Sequence, residues 1–293
     1  MTATIREPGS LAAFYAEMTC ARAGIVDRRL EAAFAAVRRE DFLGPGPWPI
    51  PTGSGDYVRT PSDDLLYIYS DLAVGLIPER GLNNGGPSSH ARWLKAAEIA
   101  SGDRVLHIGG GVGYYSAIVA ELVGEAGRVD VFEIDPDLAE RARLNLAPWT
   151  QVAVHCRSGL DAALPQADVI YVSAGANQPA GQWLDALAPG GRLVMPLTAG
   201  VWGTMMKFTA RDGTSFTAQM VSPAAFIACV GGQEQSVTDR LAQAYGLPAD
   251  GSKPAEVPPP PPIRSLHRRT PPDESCWFAG EGWWLSSRPL ELH

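Results

Sequence analysis

The chain has 293 residues, of which 45% are hydrophobic, and this is enough apolar material to bury one large core. Its formal net charge of -8 argues against a general attraction to nucleic acid or to anionic membrane surfaces. The sequence therefore predicts a folded globular protein that has neither nucleic acid nor a membrane as a partner.

The four cysteines lie far apart and have no spacing typical of a zinc site. The first ten residues, MTATIREPGS, lack the basic start and the apolar run of a signal peptide, and no segment has the length and hydrophobicity of a transmembrane helix. We therefore expect a cytoplasmic protein with reduced cysteines and without a metal site.

The N-terminal region is predicted to begin with two amphipathic helices. Ser10 can cap the first helix, whose expected buried face includes Phe14 and Met18, and Asp27 can cap the second. Residues 44–55, GPGPWPIPTGSG, are too rich in proline and glycine for regular structure. This segment therefore predicts an irregular connection between the helices and the rest of the chain.

Between residues 104 and 222, short runs typical of β-strands alternate with segments typical of helices. This alternation predicts an α/β fold with a Rossmann-like, doubly wound and mostly parallel sheet of seven strands. The last two strand-like runs flank Asp212-Gly213, and an Asp-Gly pair between strands is typical of a hairpin. We therefore expect the sheet to end in an antiparallel pair.

Beyond Gly232 the sequence changes character. A short helix is predicted at residues 238–245, and the prolines at 258–262 predict a stiff polyproline segment. The tail contains CWFAGEGWW at residues 276–284, and a cluster of this kind is rarely left in solvent. We expect the tail to pack on the acceptor cleft of its own chain or on a second subunit, which would make a homodimer.

These features divide the chain into three parts. An N-terminal helical cap at residues 1–92 is expected to cover the acceptor site. A core at residues 93–232 is expected to bind the cofactor, and a proline- and tryptophan-rich C-terminal extension occupies residues 233–293.

The strongest functional signal is the segment VLHIGGGVGYY at residues 105–115, between a strand-like run and a helix. Glycine lets a backbone approach a ligand closely, and a helix N-terminus offers unpaired N–H groups. Gly109, Gly111 and Gly113 have the G-x-G-x-G spacing of S-adenosylmethionine enzymes, whereas dinucleotide enzymes have G-x-G-x-x-G. The loop therefore predicts S-adenosylmethionine as the cofactor and disfavours nicotinamide-dependent oxidoreduction.

Glu133 lies at the end of the next predicted strand, twenty residues after Gly113. A carboxylate there can accept hydrogen bonds from both ribose hydroxyls of a nucleoside ligand. Asp135 is predicted instead to cap the helix that begins at Pro136, because proline is preferred in the first helical turn. We therefore assign ribose binding to Glu133.

Many segments of the chain resemble the protein-L-isoaspartate O-methyltransferase family. The similar segments are IVDRRLEAAFAAVRREDFL (25–43), YSDLAVGL (69–76), the loop at 105–117, VDVFEIDPDLAERARLNL (129–146), VHCRSG (154–159), DVIYVSAGA (168–176) and LAPGGRLVMPL (187–197). The resemblance spans roughly residues 25–230 and implies a methyltransferase. The cofactor-binding residues that it implies, together with the loop, are His107, Gly109, Gly111, Gly113, Glu133, Ser158, Gly159 and Ser173.

The chain departs from the family's pattern at three positions. Aligned through Pro87, Gly85 stands where the family has the serine of T-I-S-Q-P that contacts the acceptor carboxylate. His107 replaces an acid near the methionine amino group, and Ser158 replaces an acid near the adenine amine. A neutral imidazole is a weaker partner for an ammonium than a carboxylate is, although His107 could equally serve a strand-end hydrogen bond. These departures predict modest cofactor affinity and little activity on isoaspartyl residues.

The acceptor is expected between the C-terminal edge of the sheet and residues 69–92. The candidate substrate-binding residues are Asn83, Asn84 and Gly85, and the candidate catalytic residues are Asp71, Ser88 and Ser89. The two asparagines can donate amide hydrogen bonds to an acceptor oxygen, and Asp71 is expected to orient the cover. Ser88 or Ser89 could supply the missing hydroxyl from a shifted loop, although a helix cap is the favoured interpretation of a serine after proline.

Methyl transfer from a sulfonium depends mainly on positioning, and an ionised carboxylate needs no general base. The sequence has no obvious Asp/His pair near the glycine loop, which favours a carboxylate acceptor. The first hypothesis is therefore an S-adenosylmethionine-dependent O-methyltransferase acting on a peptide or a small metabolite. The alternative is a protein that binds S-adenosylmethionine or S-adenosylhomocysteine without turnover, as a scaffold or regulatory partner.

Overall fold

The computed structural model describes residues 9–52, 55–161, 163–248 and 261–290. The helices are α1 (Leu11–Ala23), α2 (Arg28–Ala36), α3 (Glu40–Leu43), α4 (Pro87–Ala97), α5 (Tyr114–Val123), α6 (Pro136–Asn145), α7 (Gly181–Ala186) and α8 (Gln235–Tyr245). The strands are β1 (Pro49–Pro51), β2 (Tyr57–Arg59), β3 (Gly75–Ile77), β4 (Leu82–Asn83), β5 (Arg104–Ile108), β6 (Arg128–Glu133), β7 (Val152–Cys156), β8 (Ala167–Val172), β9 (Leu187–Ala199), β10 (Trp202–Ala210), β11 (Ser215–Ala225), β12 (Ser265–Arg268), β13 (Cys276–Gly280) and β14 (Trp283–Ser286). Within those ranges, no helix has the length and apolar character that a membrane crossing requires.

The starts of three helices depend on capping side chains. Ser10, Asp27 and Asp135 accept hydrogen bonds from backbone N–H groups in the first turns of α1, α2 and α6. Each side chain satisfies donors that have no partner inside the helix. The three predicted caps are therefore confirmed.

The buried face of α1 differs from the predicted one. Phe14 and Met18 are 47% and 39% exposed, whereas Tyr15 is 2% exposed. The Tyr15 ring packs edge-on against Tyr69, and its hydroxyl lies 3.1 Å from that of Tyr114. A buried tyrosine needs a polar partner for its hydroxyl, and this requirement decides which face of α1 turns inward.

Residues 44–55, predicted to be irregular, contain a short strand. Strand β1 pairs antiparallel with β2, so that prediction is wrong. In β1, only Ile50 has an N–H to donate, because its neighbours are prolines. Prolines are tolerated here because the pair is an isolated two-stranded ribbon outside the main sheet.

The main sheet has ten strands in the order β13-β14-β12-β11-β10-β9-β8-β5-β6-β7. Strands β5 to β9 pair in parallel, and β10 and β11 continue the sheet antiparallel. The turn between β10 and β11 is closed by Asp212, whose carboxylate accepts hydrogen bonds from the N–H groups of Thr214 and Ser215. The predicted Rossmann-like α/β fold and its antiparallel hairpin are therefore confirmed.

The C-terminal extension adds three strands to the seven that the sequence predicts. Strands β12, β14 and β13 continue the sheet antiparallel beyond β11. Phe278, Trp283 and Trp284 are 6%, 6% and 4% exposed, which confirms that the tail packs on folded protein. The acceptor cleft was the wrong receiving surface within the chain, because the tail pairs with β11, which satisfies its backbone groups directly. Residues 258–260 of the predicted polyproline segment lie outside the described ranges, and the homodimer stays a prediction.

Alternate residues of the central strands belong to two apolar cores. In β5, Val105 belongs to the core beneath α1, α2, α4 and α5, and Leu106 belongs to the core beneath α7, α8 and the C-terminal strands. Each is 1% exposed. Because both faces of the sheet are covered, a ligand can reach it only at the ends of the strands.

Leu285 offers a test of how firmly the C-terminal strands are docked, because it is 0% exposed in β14. We expect Leu285→Ala to lower the free energy of unfolding by about 2–5 kcal/mol, since it leaves a cavity in the core. Leu144→Ala is the matched control, because Leu144 is 69% exposed on α6, and it should change stability by less than about 0.5 kcal/mol. Denaturant titration of both variants measures the difference, and equal stabilities would contradict this prediction.

Candidate active site

The site lies where the chain reverses direction across the sheet. From β5 the chain proceeds to β6 and β7 on one side, and it then crosses to β8 on the other side. The loops after β5 and β8 therefore separate and leave a crevice at the carboxyl ends of the strands. The glycine loop comes directly after β5, and Ser173 comes directly after β8.

The glycine loop is held open by its backbone conformation and by Glu133. Gly109, Gly111 and Gly113 have φ angles of 79°, 57° and 92°, which other residues rarely adopt. The Glu133 Oε2 atom accepts a hydrogen bond from the N–H of Gly111 at 2.7 Å, and Oε1 accepts one from Asp135 at 3.0 Å. The carboxylate thus fixes the loop against the end of β6.

Two adjoining cavities occupy the crevice. The Glu133 cavity, of about 160 Å³, is lined by Glu133, Phe132, Ile134, Arg157 and Ser158 among others. The His90 cavity, of about 300 Å³, is lined by His90, Asn84, Gly85, Tyr115 and Phe226 among others. Gly109, Gly111 and Ser173 line both, so one extended ligand can reach from the first cavity into the second.

The predicted cofactor residues fall into these cavities with one exception. Glu133, Ser158 and Gly159 line the Glu133 cavity, and His107 lines the His90 cavity. Gly113 lines neither, and a Cβ on it would come 2.8 Å from Leu146 Cδ1, so a side chain there would collide with Leu146. The Ser158 hydroxyl accepts a hydrogen bond from Leu160 N at 3.0 Å.

Glu133 is a buried carboxylate, 7% exposed, and its partners among the described residues are backbone N–H groups. Burial raises its pKa above the ordinary value, and the hydrogen bonds from Asp135 and Gly111 oppose that rise. A carboxylate oxygen that accepts one hydrogen bond has a further lone pair that can accept a second. A ligand with two neighbouring hydroxyls would satisfy both oxygens.

His107 already has a partner at each ring nitrogen. Its Nδ1 lies 2.7 Å from Ser116 Oγ, and its Nε2 lies 3.0 Å from Ser173 Oγ. Burial lowers the pKa of His107 to about 3, so the ring is neutral. This geometry corresponds to the strand-end hydrogen bonding that the sequence left open for His107.

Asn84 is anchored on one side and unpaired on the other. Its side-chain Oδ1 accepts a hydrogen bond from Val74 N at 2.7 Å, and its backbone N–H donates to Val74 O at 3.0 Å. Its Nδ2 is buried and has no partner within the described ranges. Asn83 differs, because its Oδ1 accepts from Gly85 N at 2.9 Å and so shapes the loop.

Ser88 and Asp71 form a pair that neither cavity contacts. The Asp71 carboxylate accepts hydrogen bonds from Ser88 N at 2.8 Å and from Ser88 Oγ at 2.7 Å. Helix α4 begins at Pro87 with Gly86 as its N-cap, so the prediction that Ser88 or Ser89 caps it is wrong. Proline is preorganised for the first helical position, and Asp71 supplies the acceptor from outside the helix. Ser89 lines the His90 cavity.

Sequence reasoning missed His90, which lies at the centre of the acceptor side. It is 3% exposed, stacks on Tyr115 with ring centroids 3.5 Å apart, and places Nδ1 2.7 Å from the Tyr171 hydroxyl. Burial lowers its pKa well below the ordinary value, so the imidazole is neutral. The sequence feature that could have pointed to His90 is its position three residues after Pro87, because residues three apart lie on the same face of a helix.

A buried arginine holds the segment that covers the site. Arg39 is 0% exposed, and its guanidinium lies 5.8 Å from the ring centroids of Tyr15 and Tyr114. Its Nη atoms donate hydrogen bonds to the carbonyl oxygens of Ile68, Ser70 and Leu72. These bonds fix the backbone around Asp71, and through Asp71 the start of α4.

Comparison with known proteins shows which family the central part of the chain matches. Residues 56–234 match the family model for protein-L-isoaspartate(D-aspartate) O-methyltransferase. The protein-L-isoaspartate O-methyltransferase of Ignicoccus hospitalis is 36% identical over 137 residues, which are 45% of this chain and 63% of that relative. The chain thus spans less than two-thirds of the length of that relative.

Two solved structures share the fold. One protein-L-isoaspartate O-methyltransferase superposes with a TM-score of 0.62 at 26% identity, over 73% of this chain and 64% of that chain. A Plasmodium falciparum protein assigned the same activity, solved in complex with S-adenosyl-L-homocysteine, has a TM-score of 0.61 at 18% identity, over 74% of this chain and 97% of that one. The family model covers more than half of the residues, and the chain therefore belongs to the protein-L-isoaspartate O-methyltransferase family.

Proposed function

We propose that the protein is an S-adenosylmethionine-dependent methyltransferase whose acceptor is a carboxylate of a peptide, a protein or a small metabolite. The observation that carries the proposal is Glu133, a buried carboxylate without a salt-bridge partner among the described residues, facing a cavity beside the glycine loop. Family membership and the S-adenosyl-L-homocysteine complex of the Plasmodium falciparum protein support the same cofactor.

The residues present fit the nucleoside part of that cofactor. Each Glu133 oxygen accepts one backbone N–H and can accept one ribose hydroxyl. Phe132 and Ile134 give the cavity apolar walls, and the Arg157 guanidinium lies 4.8 Å from the Phe132 ring centroid. The methionine part would extend past Gly109 and Ser173 into the His90 cavity.

The acceptor side suits a carboxylate that is already ionised. Among the described residues, no Lys, Arg, Asp or Glu lines the His90 cavity, so no carboxylate there repels an anionic acceptor. When bound, S-adenosylmethionine supplies the methyl group: a carboxylate oxygen bonds to the methyl carbon, the C–S bond breaks, and its electron pair stays on sulfur. The products are a methyl ester and S-adenosylhomocysteine, and no protein group takes up a proton.

The alternative, binding without turnover, is motivated by Gly85, which lacks the hydroxyl of the family's serine, and by His107, whose nitrogens are both engaged. Incubation with S-adenosylmethionine labelled in its methyl group separates the two hypotheses. The acceptor panel should contain isoaspartyl peptides, ordinary peptides and small carboxylates. Base-labile label in any acceptor supports the enzyme, and cofactor binding without label in any of them supports the alternative.

We expect Glu133→Ala to weaken the binding of S-adenosylhomocysteine about ten- to a hundred-fold, or about 1.5–3 kcal/mol, because hydrogen bonds from the ribose to a charged group are lost. Titration calorimetry measures the change. Glu140→Ala is the matched control, since the Glu140 side chain is 62% exposed on α6. Equal affinity of the Glu133 variant and the control would remove the ribose assignment.

The affinity should also depend on pH. Burial raises the pKa of Glu133 above its ordinary value of 4.5, and the ribose hydroxyls favour the ionised form. Affinity is therefore expected to be high at neutral pH and to fall as the pH is lowered through this raised pKa, because the proton must be displaced. Calorimetry over a descending pH series tests this, with Glu133→Gln as a control that should show no such fall. A native protein with pH-independent affinity would contradict it.

Activity on isoaspartyl peptides is expected to be low or absent. Gly85 lacks the serine hydroxyl that contacts the isoaspartyl carboxylate in the family's pattern, and the nearby Ser88 hydroxyl is bonded to Asp71. Initial rates with a standard isoaspartyl peptide, measured beside a repair enzyme of the same family, provide the test. Comparable rates would show that this prediction is wrong.

A further inference from the structure

Gly85 and His90 occupy one space that cannot hold two side chains. Gly85 has a φ of 71°, and a Cβ built on it would come 2.9 Å from His90 Cδ2 and closer still to Nε2. The Tyr115 hydroxyl donates to Gly85 O at 3.2 Å and holds this backbone in place. The imidazole edge carrying Nε2 therefore stands where a residue 85 side chain would begin.

Two histidines of this region have hydroxyl partners at their ring nitrogens. For His107 these are Ser116 Oγ at Nδ1 and Ser173 Oγ at Nε2. The Tyr171 hydroxyl lies 2.7 Å from His90 Nδ1. Because both imidazoles are neutral, each must donate at one nitrogen and accept at the other.

The His90 tautomer follows from the Tyr171 hydroxyl. Tyr171 is 0% exposed, and His90 Nδ1 is the hydrogen-bond partner of its hydroxyl within the described ranges. If His90 donated from Nδ1, the buried Tyr171 O–H would lack an acceptor, which is unfavourable. Tyr171 therefore donates, so Nδ1 of His90 is the acceptor and the hydrogen is on Nε2.

A second donor belongs to another residue that lines the same cavity. Asn84 is 9% exposed, and its Oδ1 is fixed by Val74 N, so its amide group cannot be reversed without losing that bond. The unpartnered Nδ2 and the His90 Nε2–H both belong to residues that flank Gly85 and line the His90 cavity. Two N–H donors at an uncharged, aromatic-lined cavity are suited to the two oxygens of a carboxylate.

We propose that His90 Nε2–H and Asn84 Nδ2–H together bind the acceptor carboxylate, in place of the serine that Gly85 lacks, with Tyr171 as the positioning residue that fixes the His90 tautomer. This inference rests on the proposed function, since it names the acceptor-binding groups of the same site. It adds a specificity-determining pair that the glycine loop and Glu133 do not provide.

The test begins with the tautomer of His90 in the unmodified 293-residue chain. Nitrogen-15 NMR of the histidine-labelled chain, saturated with S-adenosylhomocysteine, should show His90 protonated at Nε2 and unprotonated at Nδ1 near neutral pH. Tyr171→Phe should produce a mixture of tautomers, whereas a purely structural role for Tyr171 would leave the tautomer unchanged. His267→Gln is the matched control and should leave the His90 tautomer unchanged, because His267 lies in β12 and lines neither cavity. Protonation of native His90 at Nδ1 would overturn the proposal.

The second measurement uses acetate and acetamide as probes that differ in charge but little in shape. Acetate should shift the His90 Nε2 signal saturably, and acetamide should not. Acetate binding should weaken about ten- to a hundred-fold in His90→Ala and be restored largely in His90→Gln, which keeps a donor. Equal responses to both probes would overturn the proposal. Acetate binding at His90 without methyl transfer to any acceptor would retain this inference and reject the proposed function.

Discussion

The arrangement of the site depends on one buried cation, the guanidinium of Arg39. It satisfies three backbone carbonyls of the segment from Ile68 to Leu72, and without it each carbonyl would be left unpaired at a cost of about 1–3 kcal/mol. The same segment carries Asp71, which binds the first turn of α4, and α4 carries His90. A contact made by the residue directly before α3 therefore determines where the acceptor groups stand.

The cofactor side depends instead on the topology of the sheet. Neighbouring loops diverge only between β5 and β8, where the order of the strands reverses, and this is where the glycine loop and Ser173 meet. Glu133 comes from the next strand and is fixed to the loop by one hydrogen bond. Strand order thus positions the cofactor side and the helical cap positions α4, and the hydrogen bond between Tyr171 and His90 joins the two halves of the site.

The sequence predicted those features that local chemistry determines. Helix caps at Ser10, Asp27 and Asp135, the turn at Asp212 and the glycine loop depend on residues that are close together in the chain, so they could be predicted. The buried face of α1 could not, because it depends on a hydroxyl contact between Tyr15 and Tyr114, ninety-nine residues apart. His90 was missed for the same reason, since its partners Tyr171 and Tyr115 are distant in sequence and no motif contains it.

The position of the C-terminal strands has a consequence for the order in which the molecule forms. The parallel strands lie within residues 104–199, so each can pair while the remainder of the chain is still being synthesised. Strand β12 pairs with β11 across about fifty residues, and β14 must be present before β13 can join the sheet. Until β12 leaves the ribosome, β11 is an uncovered strand edge whose neighbour has yet to be made. The nascent chain is therefore most exposed to strand-edge association between the release of β11 and the release of β12.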